Sequence, residues 1–167
     1  MPEHDIMVVN TGPILAIKAA LGDLRIFQMY SQVLVPLEVA AEIEHGGSDN
    51  FAVKEFLAAS WIQKIEKETD ISIYLRNVLD IGEAAVIQTA LNRCGTKVCI
   101  DEACGRRIAR LHNLKVTGSI GVLLRALREG YEFSMEDALY RMRERGVWLS
   151  DQVIAFALRE VKPKCIH

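Results

Sequence analysis

Residues with side-chain oxygens come directly after two short apolar runs of this chain. Asn10 comes after residues 6–9, and Asp101 and Glu102 come after residues 98–100. If the runs are buried parallel strands, their carboxyl ends share one edge of a sheet, which is where ligands of such sheets bind. The amide and carboxylate oxygens would then form one polar site. The alternative for Asn10 and Asp101 is a helix N-cap, a common role for both residue types.

Two glutamates in predicted helices belong with this group. Glu83 precedes Ile87 by one helical turn, in line with an apolar stripe, so its carboxylate would face the interior and need a partner. The alternative is a first-turn glutamate that the helix dipole favours. Glu42 flanks the stripe through Ile43, whereas Glu38 is angled further toward solvent. Glu42 is therefore the better inward candidate of the two.

Converging acids indicate a bound cation. Carboxylates that share a cleft repel each other unless a cation lies among them, and hard Mg²⁺ or Mn²⁺ prefers oxygen ligands. Mg²⁺ held in this way can orient water and stabilise the charge of a displaced phosphate oxygen. The candidate ligand positions are Asn10, Glu42, Glu83 and Asp101.

Short strands alternate with helices along the whole chain, which predicts an α/β fold with a mainly parallel sheet and helices on both faces. The predicted strands are residues 6–9, 33–35, 61–65, 98–100 and 115–116. Helices lie between them, including one at 48–58, and two more follow at 134–145 and 150–161. We place a core in residues 1–130 and a C-terminal helical extension, packed on the same domain, in residues 131–167.

Four segments of the chain resemble the PIN-domain family, in particular its prokaryotic branch of toxin-like proteins. They are VVNTGPILAI (8–17), VLVPLEVAAEI (33–43), IGEAAVIQTAL (81–91) and CIDEACGRRIARLHNLKVTGSIGVLLRALREG (99–130). The motifs are weak singly, but their order and spacing together are fairly specific. The resemblance implies a three-layer α/β/α PIN fold, here with two extra C-terminal helices.

The resemblance also implies a four-acid, Mg²⁺-dependent site that cleaves RNA phosphodiesters. Carried over by position, the site consists of Asn10, Glu42, Glu83 and Asp101, with Glu102 as an added outer charge and Thr11 and Ser119 as supporting residues. Asn10 departs from the family, because an aspartate is usual there. Its amide oxygen can contact Mg²⁺ but brings no negative charge.

Two functional hypotheses follow from the resemblance. The first is a Mg²⁺- or Mn²⁺-dependent endoribonuclease, with a toxin-like role, a protein antitoxin or inhibitor, and a homodimer as further implications. The second is a non-catalytic PIN-type module that binds RNA or protein through a degenerate acidic site. Asn10 favours the second hypothesis, and the intact trio Glu42, Glu83 and Asp101 favours the first.

The formal net charge is only −2, so global charge does not decide whether nucleic acid is bound. Locally, the segment 101–130 is basic. In a helix over 102–112, Cys104, Ile108 and Leu111 are predicted to face the core. The arginines predicted to point away are Arg106, Arg107 and Arg110. They could grip RNA phosphates, receive an acidic partner protein or pair with surface acids.

The remaining residues suggest a cytoplasmic protein. The four cysteines, at 94, 99, 104 and 165, form no CxxC pair, and we interpret them as reduced, buried thiols. No apolar run reaches the roughly 18 residues that a membrane-spanning helix needs, and the N-terminus is polar. Trp61 and Trp148 are interpreted as core or interface packing rather than as platforms for stacking bases.

Overall fold

The apolar runs pair into an all-parallel sheet of five strands in a computed structural model that describes residues 5–46 and 49–162. The strands are β1 (Ile6–Val9), β2 (Gln32–Val35), β3 (Ile62–Lys64), β4 (Lys97–Cys99) and β5 (Val116–Thr117). Met7, Val8 and Val9 of β1 are fully buried. Helices cover both faces of a parallel sheet, so its central strands carry apolar residues on both sides.

The order of the strands places a crevice beside the end of β1. The order is β3-β2-β1-β4-β5, so the chain first builds outward from β1 on one side and then crosses to the other. Val9 pairs with Cys99, which brings Asn10 level with the end of β4. Such a reversal at the carboxyl ends of two central strands is where parallel α/β sheets bind ligands.

Helices follow each strand and pack in two groups on the sheet. They are α1 (Thr11–Leu21), a 3₁₀ helix (Arg25–Met29), α2 (Leu37–His45), α3 (Val53–Ala58), α4 (Ile73–Val78), α5 (Ile81–Leu91), α6 (Ala103–Leu111), α7 (Ser119–Arg128), α8 (Met135–Glu144) and α9 (Asp151–Val161). Contacts join α1, α7, α8 and α9 in one group and α2, α4, α5 and α6 in the other, and the groups meet where α1 contacts α2. This arrangement confirms the predicted α/β class with helices on both faces of a parallel sheet.

The last two helices, α8 and α9, pack against helices that cover the sheet. Ser134 and Ser150 cap α8 and α9, because each hydroxyl accepts a hydrogen bond from a first-turn N–H. Helix α8 packs on α1, and α9 packs on α7 and α8. The division into a core at 1–130 and an extension at 131–167 stays a prediction.

Helix α5 runs through the interior. Nearly its whole length is buried, from Gly82 to Ala90, and it contacts β1, β4 and three helices. A helix that is apolar on all sides has no solvent face, so a carboxylate in its first turn cannot escape to water. Glu83 is in that position.

Several expectations about individual side chains are wrong. The helix predicted at 48–58 begins only at Val53, and residues 47 and 48 lie outside the described ranges. On α6 the buried residues are Gly105, Ile108 and Ala109, so the helix is rotated from the predicted orientation and Cys104 and Leu111 are exposed. Gly105 has no side chain, which lets this face approach the sheet closely.

The expectation of buried cysteines holds only for Cys99, since Cys94 and Cys104 are exposed. Cys165 lies outside the described residues. Trp61 is half-buried, and its indole N–H donates to the carbonyl of Leu24. Trp148 is 84% exposed, so it does not pack into the core, and its packing at an interface stays a prediction. In the described residues, no helix is both long and apolar enough to cross a bilayer.

Candidate active site

Asn10 directs an unsatisfied oxygen toward the start of α5. The residue is 5% exposed and occupies the N-cap position of α1, yet its side chain makes no capping hydrogen bond. Its Oδ1 is buried without a hydrogen-bond partner. This atom lies 3.3 Å from the place where a β-carbon on Gly82 would stand. The helix-cap alternative therefore does not account for this side chain.

Glu42 reaches the same place from α2. Its Oε2 lies 3.0 Å from the β-carbon position of Gly82 and accepts a 2.8 Å hydrogen bond from the Thr11 hydroxyl. Glu38, one turn earlier, is held elsewhere, because its carboxylate accepts hydrogen bonds from the N–H and the hydroxyl of Thr69. Of the two glutamates, Glu42 is therefore the one that shares the space around Gly82 with Asn10.

Asp80 is a third neighbour of Gly82, and the sequence reasoning missed it. Its Oδ1 lies 3.6 Å from the β-carbon position of Gly82 and caps α5 by accepting a 2.8 Å hydrogen bond from the N–H of Glu83. The pattern of an aspartate three residues before Glu83, at a helix start, was the available signal. A capping role explains that pattern completely, so the pattern alone does not indicate a site residue.

Glu83 is buried beneath α6. The residue is 5% exposed, and its Oε1 has no hydrogen-bond partner. Desolvation raises the pKa of this carboxyl to about 7, and the nearby negative charges of Asp80 and Glu102 add to the rise. A buried carboxylate that lacks a partner is costly, so it favours either a proton or a cation.

Glu102 joins this group from the start of α6. Its side chain does not cap the helix, and its Oε1 lies 3.3 Å from the β-carbon position of Gly12. Partial burial raises the pKa of Glu102, and the charges of Asp101, Asp80 and Glu42 raise it further. The acids whose charges act on one another here are thus Glu42, Asp80, Glu83, Asp101 and Glu102.

Asp101 lies at the same edge of the sheet but has different contacts. Its Oδ1 accepts a 2.7 Å hydrogen bond from the N–H of Ser119, the first residue of α7. The residue is exposed, yet the surrounding protein desolvates its carboxyl and raises the pKa, against the lowering effect of the Ser119 hydrogen bonds and of Arg106. Its role as a metal ligand stays a prediction.

Glu42 and Asp101 line two separate clefts. Thr11 and Glu42 line one cleft of about 430 Å³, together with Phe51. Asp101 and Ser119 line another of about 420 Å³. Val147, in the turn between α8 and α9, borders both clefts, so the two openings adjoin.

Glycines lie under the acidic side chains. Besides Gly12 and Gly82, a β-carbon on Gly105 would stand 2.6 Å from Oε1 of Glu83, and one on Gly118 would stand 2.7 Å from Oδ1 of Asp101. Real β-carbons do not approach other atoms so closely. The backbone itself therefore forms the surface on which these carboxylates pack.

The three arginines of α6 differ in their surroundings. Arg106 is half-buried, lies beside Asp101 and donates from its guanidinium to the carbonyl of Ile100 over 2.8 Å, so it does not point away from the core as predicted. Arg107 and Arg110 are exposed. Among the described residues, neither has an ion-pair or hydrogen-bond partner for its guanidinium, which leaves both available to a ligand.

The oxygen donors fit a hard divalent cation. Within residues 5–46 and 49–162, no three His, Cys, Asp or Glu side chains stand close enough to form a ready-made metal site. The buried and unpartnered atoms Asn10 Oδ1 and Glu83 Oε1 nevertheless need a partner, and Mg²⁺ commonly keeps several waters beside one or two carboxylates. The residues able to hold such an ion are Asn10, Glu42, Asp80, Glu83 and Glu102.

Comparison with known proteins gives a family for the chain. The family model DUF3368, described as a PIN domain, matches residues 6–163. No curated protein matches the chain. PIN domains have a nuclease-type fold, are generally nucleases and typically use divalent metals. Because the match extends over nearly all of the sequence and the sheet is of the expected parallel kind, the chain belongs to the PIN-domain family.

Proposed function

We propose that the protein is an endoribonuclease that hydrolyses RNA phosphodiesters with Mg²⁺ or Mn²⁺. The observation that carries the proposal is the pair of buried, unpartnered oxygens of Asn10 and Glu83 among the carboxylates at the carboxyl edge of the sheet. Such an arrangement is unfavourable for folding alone, because it gathers like charges and leaves polar atoms unsatisfied. A bound cation would remove both costs.

Each side chain has a task in this proposal. The divalent cation, when bound, would stabilise negative charge that develops on the phosphate oxygens. Glu42 would be a ligand whose direction is fixed by the Thr11 hydroxyl, and Asn10 would be a neutral ligand. Glu83, whose pKa is raised to about 7, can accept a proton at its carboxylate near neutral pH. Asp101 would act from the adjoining cleft.

RNA would be held by charge around the acids. Arg107 and Arg110 are exposed and would contact phosphates without regard to sequence. We further propose that the protein works in the cytoplasm as a toxin-like component. A protein antitoxin or inhibitor and a homodimer belong to the same proposal.

One observation favours a second function. Asn10 brings no negative charge to the site. This residue favours a PIN-type module that binds RNA or a protein without cleaving RNA. The two functions differ in one respect that can be measured directly, since the module would bind Mn²⁺ weakly or not at all.

Incubation of the purified protein with mixed RNAs tests the proposal. We expect cleavage with Mn²⁺ or Mg²⁺, none with EDTA, and none in Glu42→Gln. Glu44→Gln is the matched control, because Glu44 is exposed on the same helix and its charge acts on Lys64. Calorimetry with Mn²⁺ accompanies the assay. If Glu42→Gln cleaves as fast as the parent, or if Mn²⁺ does not bind, the nuclease proposal is wrong.

A further inference from the structure

Trp148 presents its indole to solvent beside the candidate site. The residue is 84% exposed in the turn between α8 and α9. Tryptophan has a large apolar surface and is usually well buried, so an indole left open in this way needs an explanation. Packing within the described part of the chain does not supply one.

The turn that carries Trp148 is held in place on both sides. Gly146 adopts a left-handed conformation with φ of 89°, and its N–H donates to the carbonyl of Arg143. The N–H of Val147 donates to the carbonyl of Met142, and Ser150 caps α9. The backbone on either side of Trp148 is therefore fixed, so little order would be lost when a ligand binds the indole.

The indole lies where the clefts meet. Trp148 lines the cleft of about 420 Å³ that contains Asp101 and Arg106, and it also lines a shallower one beside Arg143. Its neighbour Val147 borders the cleft that contains Glu42. An aromatic face thus lines the cleft of Asp101 and Arg106 and the cleft of Arg143, next to the cleft that contains Glu42.

We propose that Trp148 stacks on an unpaired base of single-stranded RNA and so positions the RNA strand next to the acidic site. Arg106 and Arg143 would hold the adjoining phosphates. This inference rests on RNA as the substrate proposed above. Aromatic stacking beside cationic groups is the usual way in which single strands are bound without sequence preference. A base inside a duplex is already stacked on its neighbours and could not use the indole.

The surface around Trp148 mixes aromatic and charged side chains, which suits a nucleotide better than a protein partner. Phe156 is the aromatic residue nearest in the same cleft, and Val153 lies beside it. The same cleft contains Asp101 and Arg106, and the shallower cleft of Trp148 contains Arg143 and Asp151, so charges interrupt the apolar residues on this surface. Protein docking surfaces are depleted of charge at their centres, whereas a nucleotide needs one aromatic face and cations for its phosphates.

Tryptophan fluorescence can report on this contact directly, because the chain contains only two tryptophans. Trp61→Phe leaves Trp148 as the single emitter. We expect oligouridylate to quench this emission in EDTA, and a duplex of equal length to leave it unchanged. The unaltered protein and Trp148→Phe, in which only Trp61 emits, accompany the measurement. Quenching should disappear in Trp148→Phe, and it should persist in the unaltered protein even if Trp61→Phe folds poorly.

Affinity provides the second readout. We expect Trp148→Ala to bind oligouridylate about tenfold more weakly and Trp148→Phe to lose much less, since a phenyl ring still stacks. Tyr74→Ala is the matched control, because Tyr74 is 52% exposed on α4 and lines neither of the two clefts that contain Trp148. Its affinity should equal that of the parent.

Three results would overturn the inference. One is oligouridylate binding without quenching and with equal affinity in Trp148→Ala. Another is equal quenching by the duplex. The third is a change of emission with protein concentration in the absence of RNA, which would assign the indole to contact with a second copy. Because no metal and no cleavage are involved, a protein that stacks RNA but never cuts it would keep this inference and refute only the nuclease proposal.

Discussion

The hydroxyl of Thr11 donates a 2.8 Å hydrogen bond to Oε2 of Glu42, and this contact joins the first turn of α1 to α2. Thr11 is buried, whereas Glu42 is an exposed residue whose side chain would otherwise be free to turn into solvent. Residues that hold a metal ligand in one direction often matter nearly as much as the ligand.

Thr11→Val should therefore weaken Mn²⁺ binding without unfolding the protein. Valine has a similar shape but cannot donate to Glu42, so we expect a loss of affinity of about tenfold, the lower end of the usual range for such supporting residues. The melting temperature without metal should change little, because the lost hydrogen bond contributes about 1 kcal/mol. Calorimetry measures the affinity, and Thr11→Ser, which keeps the hydroxyl, should resemble the parent. Equal affinity in Thr11→Val would mean that Glu42 does not bind the ion.

Asn10→Asp should strengthen Mn²⁺ binding and lower the stability of the metal-free protein. The buried Oδ1 of Asn10 lacks a partner, and aspartate places a negative charge at the same atom. With Mn²⁺ bound, the attraction between the new carboxylate and the doubly charged ion should outweigh its repulsion from the other acids. Without metal, the new carboxylate only adds to the repulsion among the acids. Paired measurements of Mn²⁺ affinity and melting temperature in EDTA test both effects. Unchanged affinity would show that Asn10 does not face the ion.

Asp80 allows capping to be separated from charge. Asp80→Ser keeps a side chain that can accept from the N–H of Glu83, whereas Asp80→Ala loses the cap and should cost about 1 kcal/mol in stability. Both variants lack the carboxylate beside Gly82. We expect both to bind Mn²⁺ more weakly than the parent, with only Asp80→Ala clearly less stable in urea. If Asp80→Ser binds Mn²⁺ as the parent does, Asp80 is a cap and nothing more.

The pKa of Glu83 gives a pH dependence with a definite sign. Its folded-state pKa is raised to about 7 from 4.5, so the folded protein keeps this proton up to a higher pH than the unfolded chain does. Stability without metal should therefore be greatest below pH 4.5, as far as this group is concerned, and should fall as pH rises through about 7. Glu83→Gln removes this titration, so its urea midpoint in EDTA should exceed that of the parent at pH 8 by more than at pH 5. Parallel curves for the two proteins would contradict the assignment.

The arginines of α6 should divide into two classes. The double variant Arg107→Ala, Arg110→Ala should bind all RNA sequences more weakly. The slope of the logarithm of affinity against the logarithm of salt concentration should fall by about one per lost phosphate contact. Folding should be unaffected, since both side chains are exposed. Arg106→Ala should also lower the melting temperature, because it removes a hydrogen bond to the carbonyl of Ile100. An unchanged salt slope in the double variant would assign Arg107 and Arg110 another role.

The fold could be predicted because its signals are local. A buried parallel strand is a short apolar run, and the run before Asn10 has no other reading in a chain of alternating strands and helices. The inward direction of Glu83 could also be predicted, since it continues the stripe of a helix that is buried along nearly its whole length. These features depend on residues within a few turns of one another.

The details of the site depend on longer-range geometry. Asp101 and Glu102 are adjacent just after β4, and neighbouring side chains of an extended segment point in opposite directions. Which of them meets Glu83 is decided by the path of the chain into α6, and the sequence contains no sign of it. The N–H of Ser119, at the start of α7, donates a hydrogen bond to Asp101. Trp148 is exposed because of how α8 and α9 pack, and the pattern of residues around it does not encode that packing.

Because of the glycines beneath the acids, substitutions of residues without functional groups can also inactivate this protein. Gly12, Gly82, Gly105 and Gly118 carry no chemistry, yet each leaves space that a carboxylate occupies. A search confined to residues that can bind or react would overlook them. Inactivating substitutions should therefore fall on small residues as well as on acids, and an attempt to transplant the acids to another sheet would fail unless its backbone came as close.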